Sequence, residues 1–294
     1  MNNPWIEAMR LRTLPVSVAG VAAGTGCAIF HHGFSVVPML ICLFFAIFAQ
    51  IASNFANEYY DYKNGFDRKG REGFRRGVTE GDISPAAMKR ATFLLLAFDA
   101  LLGCSLIYYG GWWLIAVGIA VAFFAIGYSA GPYPLSHHGL GDVAVIIFFG
   151  FVPVIFTEYV QTGVWHLSAT TVCSALAVGL MAANVLIVNN YRDRDDDMAV
   201  GKHTTVVIFG RPVMAAVYLI NGLIAVLAMS IAGAYAPAIT ILGWLGYLFC
   251  HFMLWQRLRD CHGKALNGVL KFTSLLTLAA SLYLFLILAI WPEK

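Results

Sequence analysis

Asn57 and Asp61 stand four residues apart, and so do Asp193 and Asp197. Residues at that spacing share one face of a helix, so each pair projects its side chains together. Asn189 or Asn190 sits one turn ahead of the second pair. Two such faces meeting across a bundle would surround one cavity with carboxylates and amides. Left unpaired, the acids would repel one another and be costly near a membrane. A divalent cation removes that cost. Oxygen donors without His or Cys suit Mg2+, which is typically held by a few carboxylates together with substrate phosphates. Asp67 lies six residues beyond Asp61, on another helical face. Gly65 is expected to end the helix between them, so Asp67 would reach the site from a loop. Asp195 and Asp196 read as solvated acids.

Basic residues accompany the acids. Arg75 and Arg76 are flanked by Gly73 and Gly77, and Lys202 follows Gly201. Glycine lets the backbone approach a ligand, while Arg and Lys neutralise phosphate oxygens. Lys63 and Arg192, inside the motifs themselves, complete the candidate diphosphate-binding set. Tyr59, Tyr60 and Tyr191 interleave with the acids and are candidates to face a cation. Arg68, Lys69, Lys89 and Arg90 read as the ordinary basic excess of one membrane side. His31, His32, His137 and His138 read as loop histidines at helix ends, not as metal ligands. Asp99, inside an apolar run, reads as a structural polar contact.

The elements that carry these residues must be membrane helices. Hydrophobic residues make up 60% of the 294-residue chain and charged residues 12%. Soluble domains are nearer half apolar and a quarter charged, so this chain needs lipid as its solvent. A net charge of +3 gives no case for nucleic acid. The six cysteines form no CxxC pair and read as small hydrophobes.

A crossing needs roughly 20 mostly apolar residues. Nine candidates follow, near 14–31, 36–57, 86–108, 112–129, 139–160, 167–190, 212–233, 235–256 and 269–291. The first, although preceded by Arg10 and Arg12, is expected to be a retained helix and not a cleaved signal. Two connections are long and polar, 61–85 and 191–211. Ser84-Pro85 marks a capped helix start, and Arg211-Pro212 gives the same Pro signal. With nine crossings, 18 of the 19 Lys and Arg residues fall on one side and only Lys294 on the other. That asymmetry places the N-terminus and both long loops in the cytoplasm and the C-terminus outside. The expected architecture is all-α: two similar four-helix units plus a ninth helix, forming a single transmembrane domain (1–294) with two cytoplasmic cap loops.

Longer strings then carry a resemblance. Arg10-Leu-Arg-Thr13-Leu14-Pro15, Asn57 through Asp67, Gly131-Pro-Tyr-Pro-Leu135, Gly139-Leu-Gly-Asp142, Phe148-Phe149-Gly150, Asn189 through Asp197, and Gly201-Lys202 with Thr204 run almost end to end. The chain resembles the intramembrane aromatic prenyltransferase (UbiA) superfamily, and within it the branch whose acceptor is 1,4-dihydroxy-2-naphthoate. The resemblance implies metal–diphosphate binding by Asn57, Asp61, Asp193 and Asp197, with Asp67 and Asn190 as additions, and Asp61 and Asp193 as the central catalytic carboxylates. The superfamily often places its third Asp closer to the second. Glu58, Leu11 and Phe74 also depart from the common pattern, and none of these departures removes a proposed ligand. The implied partners are a polyprenyl diphosphate, an aromatic acid acceptor and the lipid bilayer, with Mg2+ as cofactor.

The implied reaction has Mg2+ bridge the motifs to an allylic diphosphate while Arg76 and Lys202 help neutralise it. The electron-rich ring attacks the developing allylic cation, and the acceptor carboxylate leaves as CO2. Two alternatives stand beside it. One is a relative with another acceptor, such as 4-hydroxybenzoate, or one making a haem or chlorophyll derivative. The other is a cation-coupled transporter, hinted at only by Asp99 and Glu158.

Overall fold

Ser84 and Ser168 each accept a hydrogen bond from the backbone three residues on, at Ala87 and Thr171, and each opens a long helix. The computed structural model describes residues 3–70 and 73–293. Arg71 and Lys294, both members of the basic tally, lie outside the described residues. The helices are α1 (Pro4–Met9), α2 (Leu14–Phe30), α3 (Val36–Lys63), α4 (Gly77–Glu80), α5 (Pro85–Gly110), α6 (Leu114–Gly127), α7 (Gly141–Val145) and α8 (Val152–Thr162). Then follow α9 (Ala169–Ala199), α10 (Thr205–Ala232), α11 (Pro237–Asp260) and α12 (Leu266–Ile290). A π-helical stretch, Ile146–Phe151, joins α7 to α8. The described residues contain no strand, only an isolated bridge between His138 and His203.

Seven helical stretches among the described residues are long and apolar enough to cross a membrane. They are α3, α5, the continuous Gly141–Thr162, α9, α10, α11 and Gly263–Ile290. Two shorter apolar helices, α2 and α6, occupy the positions of the first and fourth expected crossings. Large apolar side chains such as Leu94, Leu101, Leu242 and Phe249 stand exposed on the outer faces. Surface of that kind requires lipid rather than water.

Helix α9 is the axis of the bundle: 78% of its apolar stretch is buried, against 11% for α5. Its Val178 and Met181 pack in one core with Ala19 and Ala23 of α2, Met229 of α10 and Leu284 of α12. The last helix packs against both α2 and α9 and so closes the bundle. Small residues permit this closeness. A Cβ placed on Gly150 would lie 2.4 Å from Ala175 O and 2.6 Å from Gly179 Cα.

Both polar connections are shorter than expected from sequence. Helix α3 continues to Lys63 and α9 to Ala199, so both acidic motifs ride on helix extensions, Asp195 and Asp196 included. Gly65, with φ 76°, follows the end of α3 as expected. Pro212 does mark a helix start, but Thr205–Phe209 is already helical ahead of a break at Gly210, whose φ is 81°. A left-handed φ there suits glycine because a Cβ would clash with the backbone.

Candidate active site

The extension of α3 brings Asn57 and Asp61 to the mouth of a cleft, and the extension of α9 brings Asn189, Asn190, Asp193 and Asp197 to its other wall. Helical spacing accounts for each half, and packing of α2 and the Ile146–Phe151 stretch between them sets the gap. Four cationic side chains, Arg10, Arg76, Arg192 and Lys202, line the same cleft.

Asp61 is 1% exposed, and its Oδ2 accepts a hydrogen bond from Lys202 Nζ at 2.7 Å. Its Oδ1 has no hydrogen-bond partner among the described residues and lies 3.4 Å from His137 Nε2. Asn57 donates to Asp61 Oδ2 at 3.2 Å and to Ser129 Oγ at 2.8 Å, and accepts from Arg10. On the opposite wall Arg192 grips Asp193 through two bonds of 2.7 Å. The same guanidinium donates to Asn189 and Asn267 and lies 4.8 Å from the Phe74 ring centre. Buried carboxylates are thus held by buried cations, as a low-dielectric setting demands.

Loop segments deliver the remaining groups. Val78 N donates to Glu58 Oε1 at 3.0 Å, tying α4 to α3. Arg76 caps the start of α4, and its Nε stands 3.4 Å from Asp67 Oδ2. Lys202 is held from both sides: its own N–H reaches Asp197 O at 2.9 Å, and His203 N reaches His137 O at 3.0 Å. Thr205 donates to Asp142 Oδ2 at 2.6 Å, which fastens α10 to α7 beside it.

Of the sequence candidates, the cleft gathers Asn57, Asp61, Asn190, Asp193, Asp197, Arg76, Arg192 and Lys202. Asp67 stands behind Arg76, and its backbone N–H caps α3 at Asp61 O. Other candidates lie elsewhere. Lys63 is exposed at the end of α3. Arg75 turns outward to an ion pair with Asp82 at 2.7 Å. Tyr59 packs under α1 and α4, with Tyr60 edge-on to it, and Tyr191 is buried against α10 and α12 with Arg211 over its ring. The cleft aromatics are instead Phe74, Phe124, Tyr128 and Phe149. Only Phe149, inside the Phe-Phe-Gly string, carried a sequence signal. Arg10 was also legible as part of its N-terminal string, but its place beside Asn57 was not.

Asp195 is exposed and pairs with the partly covered Arg211, while Asp196, itself partly covered, pairs with the exposed Arg68. Asp99 is a correction: both its oxygens are buried without a hydrogen-bond partner among the described residues, so no structural contact holds it. All six cysteines are free.

Comparisons with known proteins show the family and the fold. The UbiA prenyltransferase family matches residues 17–276. The 1,4-dihydroxy-2-naphthoate octaprenyltransferase of Haemophilus influenzae is 35% identical over 253 residues, covering 83% of this chain and 80% of that protein. The Escherichia coli protein of the same name is 36% identical over 220 residues, covering 70% of this chain and 68% of that one. Among solved structures, a UbiA homolog from Archaeoglobus fulgidus bound to DMAPP and Mg2+ superposes with a TM-score of 0.71 at 17% identity, covering 98% of this chain and all of that one. At that identity the likeness concerns the fold.

Proposed function

The chain belongs to the UbiA prenyltransferase family, and from that premise we propose that it transfers a polyprenyl group from its diphosphate to 1,4-dihydroxy-2-naphthoate, with loss of CO2, giving demethylmenaquinone. One observation carries the reading: oxygen donors from α3 and α9 converge on a cleft that also holds Arg10, Arg76, Arg192 and Lys202. Neither half suffices alone. The acids supply oxygen ligands for a cation, and Lys202, Arg192 and Arg76, which hold those acids, lie where they can also meet an anionic substrate.

The residues fit Mg2+. The donor set is all oxygen, and Asp61 Oδ1 is a buried carboxylate oxygen with no hydrogen-bond partner among the described residues and with His137 Nε2 3.4 Å away. Asn57, Asp61, Asn190, Asp193 and Asp197 would hold the ion. When bound, Mg2+ would neutralise diphosphate oxygens and make the diphosphate a better leaving group.

The chain's own groups do the rest. Lys202 and Arg192 exchange their carboxylate partners for diphosphate oxygens as substrate enters, so charge is never left uncompensated. Arg76 and Arg10 reach the same anion from the cap and from the turn before α2. As the C–O bond breaks, these preoriented cations stabilise the negative charge that develops on the leaving group. Phe74, Phe124 and Phe149 present rings towards the developing allylic cation and keep water from it. The electron-rich acceptor ring then forms the new C–C bond.

The cleft lies on the side that carries the basic excess, so we place it, with the N-terminus, in the cytoplasm, and treat the chain as one transmembrane domain. The deciding experiment incubates purified protein with Mg2+, a polyprenyl diphosphate and 1,4-dihydroxy-2-naphthoate and reads products by mass spectrometry. The expected product is prenylated and lacks the carboxylate. Diphosphate release with another aromatic acid only would overturn the acceptor. No consumption of diphosphate under any condition would overturn the reading as a whole.

A further inference from the structure

His31, Glu158 and His166 meet at the end of the bundle opposite the Asp-rich cleft. Ala169 and Asp193 lie on one helix, 24 residues apart in sequence; at ~1.5 Å per residue this sets the two clusters roughly 36 Å apart. His31 follows α2, Glu158 belongs to the last turns of α8, and His166 sits in the turn leading to α9. Their ligating atoms all lie within 4.8 Å of one another. His31 Nδ1 is 2.6 Å from Glu158 Oε1, and the His31 and His166 rings stack at 4.2 Å with 5° between their planes.

A simple His–Glu hydrogen bond does not account for this cluster. Glu158 is 1% exposed, and its second oxygen, Oε2, is buried with no hydrogen-bond partner among the described residues. Leaving such an oxygen unsatisfied costs free energy. The second imidazole is likewise unused by the His31–Glu158 bond. Two imidazoles and one carboxylate are the donor set of a three-residue zinc centre with an open fourth position. Nitrogen donors of this kind favour zinc and its neighbours over Mg2+. The side chain of Glu293 is 52% exposed, and its Oε2 stands 3.7 Å from His31 Nε2, at the rim where a fourth ligand or water would enter.

We propose that His31, Glu158 and His166 form a second metal site, for a borderline transition-metal cation such as Zn2+, distinct from the Asp-rich cleft. The ligating atoms of the two rings and the carboxylate lie within 4.8 Å of one another, close enough for one ion to meet all three. Glu158 Oε2 gains the partner it lacks. The site joins α2, α8 and the approach to α9, next to the point where Glu293 N donates to Phe30 O at 2.9 Å. An ion there would clamp the last residues onto the first apolar helix. His31 stands just past the end of α2, at a helix end as expected from sequence, and the proposal adds a ligand role to it.

The test uses tag-free, full-length protein in detergent, with Asp61→Asn and Asp193→Asn introduced so that the cleft does not compete. After chelator stripping, Zn2+ alone is titrated by calorimetry and its stoichiometry read by elemental analysis. One equivalent should bind, with a rise in the thermal unfolding midpoint that Mg2+ does not reproduce. His166→Ala should weaken binding at least tenfold, since even residues that merely support ligands cost 10–100-fold. Glu158→Gln should do the same. His166 is partly exposed in a connection, so its variant is expected to elute normally from a sizing column and gives the decisive measurement. Absence of Zn2+ uptake by the parent, undiminished uptake by His166→Ala, or equal response to Mg2+ would each overturn the proposal.

Discussion

Lys202 Nζ donates to Asp61 Oδ2 at 2.7 Å across 141 residues of sequence, joining the segment after α9 to the end of α3. Both groups are buried, Lys202 at 6% and Asp61 at 1% exposure. The contact is the physical link between the two acidic motifs. It also stores a cation at the place where a diphosphate would bring negative charge.

Replacing Lys202 should therefore act on both partners. Lys202→Met is expected to lower kcat/KM by about 10²-fold, as loss of one stabiliser of transition-state charge does. A Lys202→Arg variant should recover part of that loss, because the charge returns in a different shape. Steady-state kinetics with varied polyprenyl diphosphate measure both. Wild-type efficiency in Lys202→Met would remove Lys202 from the machinery.

The carboxylates should be unequal in a defined order. Asp61→Asn and Asp193→Asn should each lower turnover by about 10²-fold or more. Asp196→Ala should have little effect, because Asp196 pairs with a half-exposed Arg68, and exposed ion pairs contribute only about 0–1 kcal/mol. A chelator should abolish activity, and Mg2+ should restore it. Equal sensitivity of all three variants would mean that the cleft does not select its ligands.

The acceptor is tested by competition. With 1,4-dihydroxy-2-naphthoate and 4-hydroxybenzoate together, the naphthoate should be preferred. A single missing methylene in an apolar pocket is worth roughly 10- to 200-fold, and a missing ring should cost at least that. Preference for 4-hydroxybenzoate would defeat the acceptor assignment and leave the prenyltransferase reading intact.

Gly150→Ala tests the packing that sets the gap between the motifs. The added methyl would meet backbone atoms at 2.4–2.7 Å, which no rotamer change relieves. Overpacking costs typically about 1–3 kcal/mol, so the unfolding midpoint should fall and activity with it. An unchanged midpoint in detergent would show that α9 and the Ile146–Phe151 stretch are not in rigid contact.

Orientation is tested by labelling. In a background freed of the six cysteines, Gly70→Cys and Val200→Cys should react only with a reagent supplied from the cytoplasm. A cysteine appended after Lys294 should react only from outside. Opposite labelling of 70 and 200 would contradict the placement of both polar connections on one side of the membrane.

By itself the sequence determined that the chain is helical and lipid-crossing, and which residues of each acidic motif share a helix face. Apolar length requires lipid-crossing segments, and helical spacing puts Asn57 with Asp61 and Asp193 with Asp197 whatever surrounds them. Those relations are local, so they are legible in one dimension. The sequence could not say which neighbours of the acids share their destination. Tyr59, Tyr60 and Lys63 are adjacent to the motif in the chain, but each residue turns a helix by about 100°, and they point elsewhere. Only tertiary packing decided that Phe74, Phe124 and Phe149 form the aromatic wall, that Arg10 meets Asn57, and that Arg75 turns to Asp82. The same holds for His31, Glu158 and His166. They are separated by up to 135 residues in the chain and brought together because α2 packs against α8. Contacts of that kind depend on how close two helices approach, which small residues such as Gly20 and Gly24 against Pro153 and Val154 set, and no spacing rule encodes it.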